Sequence, residues 1–278
     1  MHRDLHVELV PLSTRGDEEQ DRSLAAIGGK GLFLKELEWA IARDEADIAV
    51  HSLKDMPAQL VPGFAIAAVL ARGDAADAWV GNGFASIEAL PRGARVGTSS
   101  LRRAAQLRAL RPDLEVADLR GNVGTRLAKL EAGDYAGIVL AAAGLQRLGL
   151  QQCIRARLAP PSWLPAPGQG AIAVEARAND ARVAALVANL DDAETRRTID
   201  AERALNAALG GDCTLPLGAW CAVDGDALQL FGLLGDAGDG KVLRADARGA
   251  DPRKLGGEVA RLLRAQGGEA LLRRHEEK

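Results

Sequence analysis

A chain of 278 residues has room for two or three domains, and its 47% apolar and 26% charged residues are the balance of a soluble protein with a sizeable core. A formal net charge of −3, 3% aromatic residues and no basic tail argue against nucleic acid, and no apolar run approaches the roughly 20 residues that span a bilayer. The N-terminus lacks a signal-peptide core. Cys153, Cys213 and Cys221 fit reduced cytosolic thiols, and neither they nor the four histidines fall at zinc spacing, so a cytoplasmic protein without a metal is expected.

In chain order, His6 to Leu12 alternates and then runs apolar, which predicts a strand. Gly28 to Gly31 then opens a helix over Leu32 to Ala42, with Leu34, Leu37 and Ile41 at helical spacing. Asp47 to Val50 reads as a buried strand ending in the polar cluster His51 to Asp55. Asp74 to Asp77 and Gly81 to Gly83 mark a passage into a second half. There Arg95 to Leu110 reads as a short strand turning directly into a helix at Thr98, Ser99 and Ser100. Hydroxyls at such a junction are good caps, and free first-turn amides beside two arginines form an anion site. An ordinary capped surface helix has the same local signature. A second example favours the anion reading: Val116 to Leu119 as strand, Arg120 to Thr125 as a glycine-bearing loop, and a helix start at Arg126 to Leu130.

Ile138 to Ala143 is a later strand, followed by the polar Gly144 to Arg147. The prolines from Pro160 to Pro167 break the chain before a return strand at Ala171 to Glu175. Helices follow at Ala184 to Leu190 and Ala193 to Leu209, the latter capped near Asp191-Asp192 and stopped by Gly210-Gly211. Strands at Gly218 to Val223, Leu228 to Leu234 and Val242 to Ala247, then a helix over Arg253 to Gln266, make a third unit. Alternating helices and short apolar strands place the chain in the α/β class.

The halves repeat. At an offset of 90 residues Lys30-Gly31 falls on Arg120-Gly121, and Ile48, Ala49 and Val50 fall on Ile138, Val139 and Leu140. The second half has a strand, a hydroxyl turn and a helix with no counterpart ahead of Asp4 in the first. Ligands of open α/β sheets sit beyond the carboxyl ends of strands, where His51 to Asp55, Gly97 to Arg103, Arg120 to Arg126 and Gly144 to Arg147 all fall. With Lys30 these clusters predict a substrate bearing several carboxylates or phosphates; a solvated basic face is the alternative. Asp55 stands alone among the cations, placed either to stabilise a cation forming on a substrate or to neutralise Lys54. Cys213 lies in a flexible loop after a long helix.

These clusters resemble the hydroxymethylbilane synthase (porphobilinogen deaminase) family. The matching motifs are Ser13 to Asp17 (STRGD), Gly28 to Glu36 (GGKGLFLKE), Asp47 to Pro57 (DIAVHSLKDMP), Val96 to Arg103 (VGTSSLRR), Leu119 to Arg126 (LRGNVGTR), Pro165 to Ala171 (PAPGQGA) and Gly211 to Thr214 (GDCT). They span most of the chain in family order. The resemblance implies two lobes like those of periplasmic binding proteins, with mainly parallel sheets, plus a smaller α+β C-terminal domain. Lobe 1 would take residues 1–72 and 171–190, lobe 2 residues 73–170, and the third domain residues 191–278. It implies a transferase that joins four porphobilinogen molecules head to tail, releasing ammonia, with a dipyrromethane cofactor held as a thioether on Cys213. By motif position Asp55 is the catalytic group. Lys30, Lys54, Thr98, Ser99, Ser100, Arg102, Arg103, Arg120, Asn122, Arg126, Arg147 and Gln169 hold the carboxylates of cofactor and substrate. A monomer without nucleic-acid or membrane partners is expected.

Two departures accompany the resemblance. Members begin with a strand and helix carrying R-x-A-T-R-x-S-x-L-A, and this chain starts after that segment, which matches the gap in the repeat. Ala26 also stands where many members have lysine. The expectation is that residues 1–278 alone are poorly soluble or inactive and that the reading frame continues upstream of Met1. A folded but inactive relative and a two-lobed small-anion binding protein are the competing readings.

Overall fold

The computed structural model describes residues 4–12, 34–211 and 215–276. Residues 6–12, expected as a strand, have no regular structure, and their apolar side chains are exposed, Leu9 by 88%. An extended segment becomes a strand only where a neighbour accepts its N–H and C=O groups, and no described strand pairs with it.

From Leu34 the chain builds helix α1 (Lys35–Ala42), strand β1 (Ile48–Ser52), a single 3-10 turn over Leu53–Asp55 and strand β2 (Phe64–Val69). It crosses to β3 (Asp77–Gly81), β4 (Arg95–Gly97), α2 (Leu101–Leu110), β5 (Glu115–Ala117), α3 (Val123–Glu131), β6 (Gly137–Ala141), α4 (Ala142–Arg147) and β7 (Ala156–Leu158). It then returns through β8 (Ile172–Arg177) to α5 (Ala181–Val187). The last part is α6 (Ala193–Ala208), the meander β9 (Leu217–Asp224), β10 (Ala227–Gly235) and β11 (Val242–Gly249), and helices α7 (Pro252–Leu263) and α8 (Glu269–Glu276).

The α/β class expected from the sequence is what forms. In the first sheet the return strand β8 lies between β1 and β2 and is antiparallel to both, so β1 and β2 run in the same direction. The second sheet has the order β5-β4-β6-β3-β7, parallel across β5, β4 and β6 and antiparallel where β3 and β7 join. Two crossovers, residues 70–76 and 165–171, join the first sheet to the second. The third sheet, β11-β10-β9, is wholly antiparallel and is covered by α6 and α7 around Leu205, Leu228, Leu230, Val259 and Leu263.

Helix starts follow local chemistry. Ser100, Asn122, Asp180, Asp192 and Asp251 each accept a first-turn amide, and Pro252 opens α7. Gly144 to Arg147, expected as a polar cluster after a strand over Ile138 to Ala143, is the end of α4. Strand β6 stops at Ala141 because Ala142, Ala143 and Leu145 bury into the core as a helix.

Candidate active site

The cleft takes its second-lobe wall from two strand ends. After β4, each of the three hydroxyls has a local task. Thr98 Oγ1 accepts from Ser100 N at 3.1 Å, and Ser100 Oγ accepts from Arg103 N. Ser99 Oγ donates to Leu119 O at 2.6 Å and accepts from Leu119 N at 3.1 Å, tying β4 to the end of β5. Asn122 Oδ1 caps α3, accepting from Thr125 N at 2.9 Å and Thr125 Oγ1 at 3.1 Å. Arg120 Nε donates to Asp118 at 2.7 Å, and Arg126 Nε donates to Gly121 O at 2.7 Å. Burial would raise the Asp118 carboxyl, but hydrogen bonds from Ser99 and Arg120 and the charges of Arg120 and Arg126 hold it below the usual range.

Arg102 and Arg103, expected to hold carboxylates of cofactor and substrate, are buried and pair with an internal acid. That acid is Asp77, the first residue of β3, which is fully buried. Arg102 Nη1 donates to Asp77 Oδ2 at 2.7 Å, while Arg103 donates to Oδ1 through Nη2 at 2.6 Å and Nε at 3.1 Å. Trp163 Nε1 and Gln169 Nε2 complete the shell at 2.7 and 2.9 Å. Burial pushes Asp77 upward, yet the two guanidinium charges and their hydrogen bonds outweigh it and hold the carboxyl far below its ordinary range. Burial in turn lowers Arg102, against the pull of Asp77.

The first-lobe wall is the 3-10 turn after β1. Leu53 N donates to Ala171 O at 3.1 Å, and Gly168, with φ +75°, backs directly onto the turn. A Cβ at Gly168 would overlap Leu53 Cδ2 at 2.2 Å, so only glycine lets the second crossover lie there. The turn leaves Asp55 exposed and Lys54 half-buried. Lys54 is lowered first by burial; Arg103 and Arg102 act in the same direction, while Asp55 and Asp77 oppose them. Half-buried Arg126 is likewise lowered by burial and by Arg103 and Arg120, against Asp118 and Asp55. Lys54 and Asp55 from one lobe thus share a field with Arg102, Arg103, Arg126 and Asp77 from the other. These four cations and two carboxylates leave a formal surplus of two positive charges.

The crossovers supply the rest. Arg147 Nη2 donates to Gly170 O at 2.7 Å, and Gln169 is buried against Ala75 O at 2.8 Å as well as Asp77. Sequence reading missed Arg72, which donates to Gln169 O at 3.0 Å and to Glu202 of α6 at 2.6 and 3.1 Å. Lys30 and Cys213 lie outside the described residues. Gly211, which leads toward Cys213, sits against Ala58, and Arg203 Nη2 of α6 donates to Ala58 O at 2.9 Å. Of the described thiols, Cys221 is buried, and burial with Glu202 beside it pushes it up to about 12; Cys153 is half-buried. No described group of histidine, cysteine or acidic residues could hold a metal ion, and no described helix is long and apolar enough to cross a membrane.

Fold and site together define an α/β protein with a separate antiparallel third sheet and a cluster of cations around one exposed acid. Residues 1–185 match the family model described as "Porphobilinogen deaminase, dipyromethane cofactor binding domain", and residues 196–265 match "Porphobilinogen deaminase, C-terminal domain". Porphobilinogen deaminase of Stenotrophomonas maltophilia K279a is 63% identical over 98% of this chain and 90% of its own. That of Xanthomonas euvesicatoria is 60% identical over the same shares. A crystal structure of a TRAP periplasmic solute binding protein from Desulfovibrio salexigens overlays with TM-score 0.36 at 12% identity, covering 91% of this chain and 85% of that one. The chain belongs to the porphobilinogen deaminase family.

Proposed function

We propose that the interlobe cleft carries out the family's reaction with Asp55 as the catalytic group and the surrounding cations as carboxylate holders. The chain is a transferase that condenses four porphobilinogen molecules head to tail, each losing ammonia, and takes up one water as the linear tetrapyrrole hydroxymethylbilane is released. The observation that carries the assignment of roles is the meeting of cations from both lobes around the one exposed carboxylate of the 3-10 turn.

Porphobilinogen bears an acetate and a propionate, which suit a cleft with surplus positive charge. Arg126 and Arg120, on α3 and its loop, are the proposed holders, with Lys54 of the 3-10 turn and Arg147 at the end of α4, which donates to Gly170 O. As the C–N bond of the aminomethyl group breaks and ammonia departs, positive charge grows on the methylene carbon and its pyrrole. A fixed carboxylate there lowers the barrier, and Asp55 also accepts from pyrrole N–H groups.

The residues present fit a dipyrromethane cofactor. Its carboxylates would be held by the same cations, and Gly211, two residues before Cys213, lies against Ala58, three residues after Asp55. When bound, the group supplies the terminal pyrrole to which the first substrate is joined. Cys221, protonated and buried, offers no competing attachment point. The same reading takes the enzyme as a cytoplasmic monomer, with lobe 1 from residues 1–72 and 171–190, lobe 2 from 73–170 and the third domain from 191–278.

Intact-mass measurement on purified protein tests this reading. A covalent adduct of dipyrromethane size, absent from Cys213→Ala, is the expected result. A bare wild-type mass together with no tetrapyrrole formation would refute it.

A further inference from the structure

Asp77 is absent from every motif that points to the reaction, yet it is the most heavily bonded carboxylate near the cleft. Its donors come from three separate segments: Arg102 and Arg103 on α2, Trp163 before the second crossover, and Gln169 within it. Two guanidinium groups converge on one carboxylate, so one positive charge stays unbalanced within the cluster. Lys54 and Arg126 feel the field of Arg103 from the cleft side. Without Asp77, two like charges would sit side by side at the base of the second-lobe wall and repel, and α2 would lose the anchor of its first turn. Gln169 also donates to Ala75 O, so the same carboxylate joins the start of β3 to the crossover.

We propose that Asp77 is a positioning residue for this reaction, fixing Arg102 and Arg103 so that the N-terminus of α2 and the surplus charge face the bound carboxylates. This rests on the reading of the cleft given above. Asp77 is fully buried and acts through the arginines rather than by touching substrate.

The test compares Asp77→Asn, which keeps shape and removes charge, with Trp163→Phe, which removes one donor and leaves every charge in place. Three quantities are read on the full chain: the fraction carrying a dipyrromethane-sized adduct by intact mass, KM and kcat for porphobilinogen, and the thermal midpoint. In Asp77→Asn the adduct fraction is expected to fall about tenfold, with KM raised about tenfold in what does load. In Trp163→Phe, KM is expected to rise several-fold with kcat near wild type. A merely structural role would lower the midpoint and yield but leave loading, KM and kcat of the soluble fraction unchanged. That result in Trp163→Phe, or in folded Asp77→Asn, overturns the proposal, and Trp163→Phe decides alone if Asp77→Asn does not fold. A wild-type chain with neither adduct nor product overturns the functional reading and this proposal with it.

Discussion

Replacing Glu202 by glutamine tests the joint on which all three parts of the molecule meet. The Glu202 carboxylate has no solvent exposure and accepts Arg72 Nη1 at 2.6 Å, Arg72 Nη2 at 3.1 Å, Gly168 N at 2.8 Å and Cys221 N at 2.9 Å. Arg72 and Gly168 belong to the two crossovers and Cys221 to β9, so one side chain of α6 clamps the hinge to the third domain. Glutamine preserves the volume but turns an NH₂ toward N–H donors and strips Arg72, 12% exposed, of its counter-charge. Removing one partner of a buried pair costs about 3–5 kcal/mol. At roughly 2–3 °C per kcal/mol for a chain of this size, the midpoint should fall by about 6–15 °C. The assay is thermal unfolding followed by circular dichroism, with Arg72→Met/Glu202→Leu alongside, because exchanging the whole pair for apolar groups leaves no stranded charge and should recover part of the loss. A single variant within about 2 °C of wild type, or a double variant no better than the single, would refute the reasoning.

Asp55→Ala should leave the thermal midpoint near wild type, because the side chain is exposed, while lowering kcat by about 10²–10³-fold. Near wild-type tetrapyrrole formation in a steady-state assay would remove Asp55 from its role. Arg126→Ala should raise KM for porphobilinogen at least several-fold, whereas Arg261→Ala, whose partner is the exposed Glu258 on its own helix, should not; equal effects would point to general charge rather than a site. Acid should unfold the protein partly through Asp77. Its folded carboxyl is held far below the unfolded value of about 3.9, so its stabilisation is present above that pH and lost as pH falls below it, by up to about 1.4 kcal/mol per pH unit. Midpoints measured from pH 5 to 3 should therefore fall less steeply in Asp77→Asn than in wild type.

The parts of this fold that were legible in the sequence are those with local causes. A hydroxyl or carboxamide at a strand end caps the next helix wherever the chain turns, so the helix start at Ser100 and the glycine-bearing loop at Asn122 could be read directly. Strands β2, β3 and β7 were not. Phe64–Val69 carries no clear alternation, and an aspartate opening β3 reads as a turn residue. The ion pairs that organise the cleft are long-range: Asp77 meets Arg102 across 25 residues and Arg72 meets Glu202 across 130, spacings with no local signature. For the same reason Arg102 and Arg103 read as cleft-facing cations although they are turned onto Asp77.

The third domain touches both lobes beside the cleft. On the first-lobe side, Arg203 of α6 donates to Ala58 O next to the turn that presents Asp55. On the second-lobe side it packs against α2, whose first turn carries Arg102 and Arg103. Gly235 lies against Ala105, Arg108 donates to Ala237 O, and Arg244 of β11 donates to Ser162 O at 2.8 Å. The Arg72–Glu202 clamp sits instead at the crossovers, where a change in lobe angle displaces atoms least. Any opening of the cleft would strain the outer contacts, Arg203 with Ala58 on the first-lobe side and Gly235 with Ala105, Arg108 with Ala237 and Arg244 with Ser162 on the second-lobe side, more than the clamp. Of these hydrogen bonds Arg244 with Ser162 is the most exposed and the cheapest to exchange for water, whereas the packing of α2 on the third domain is not.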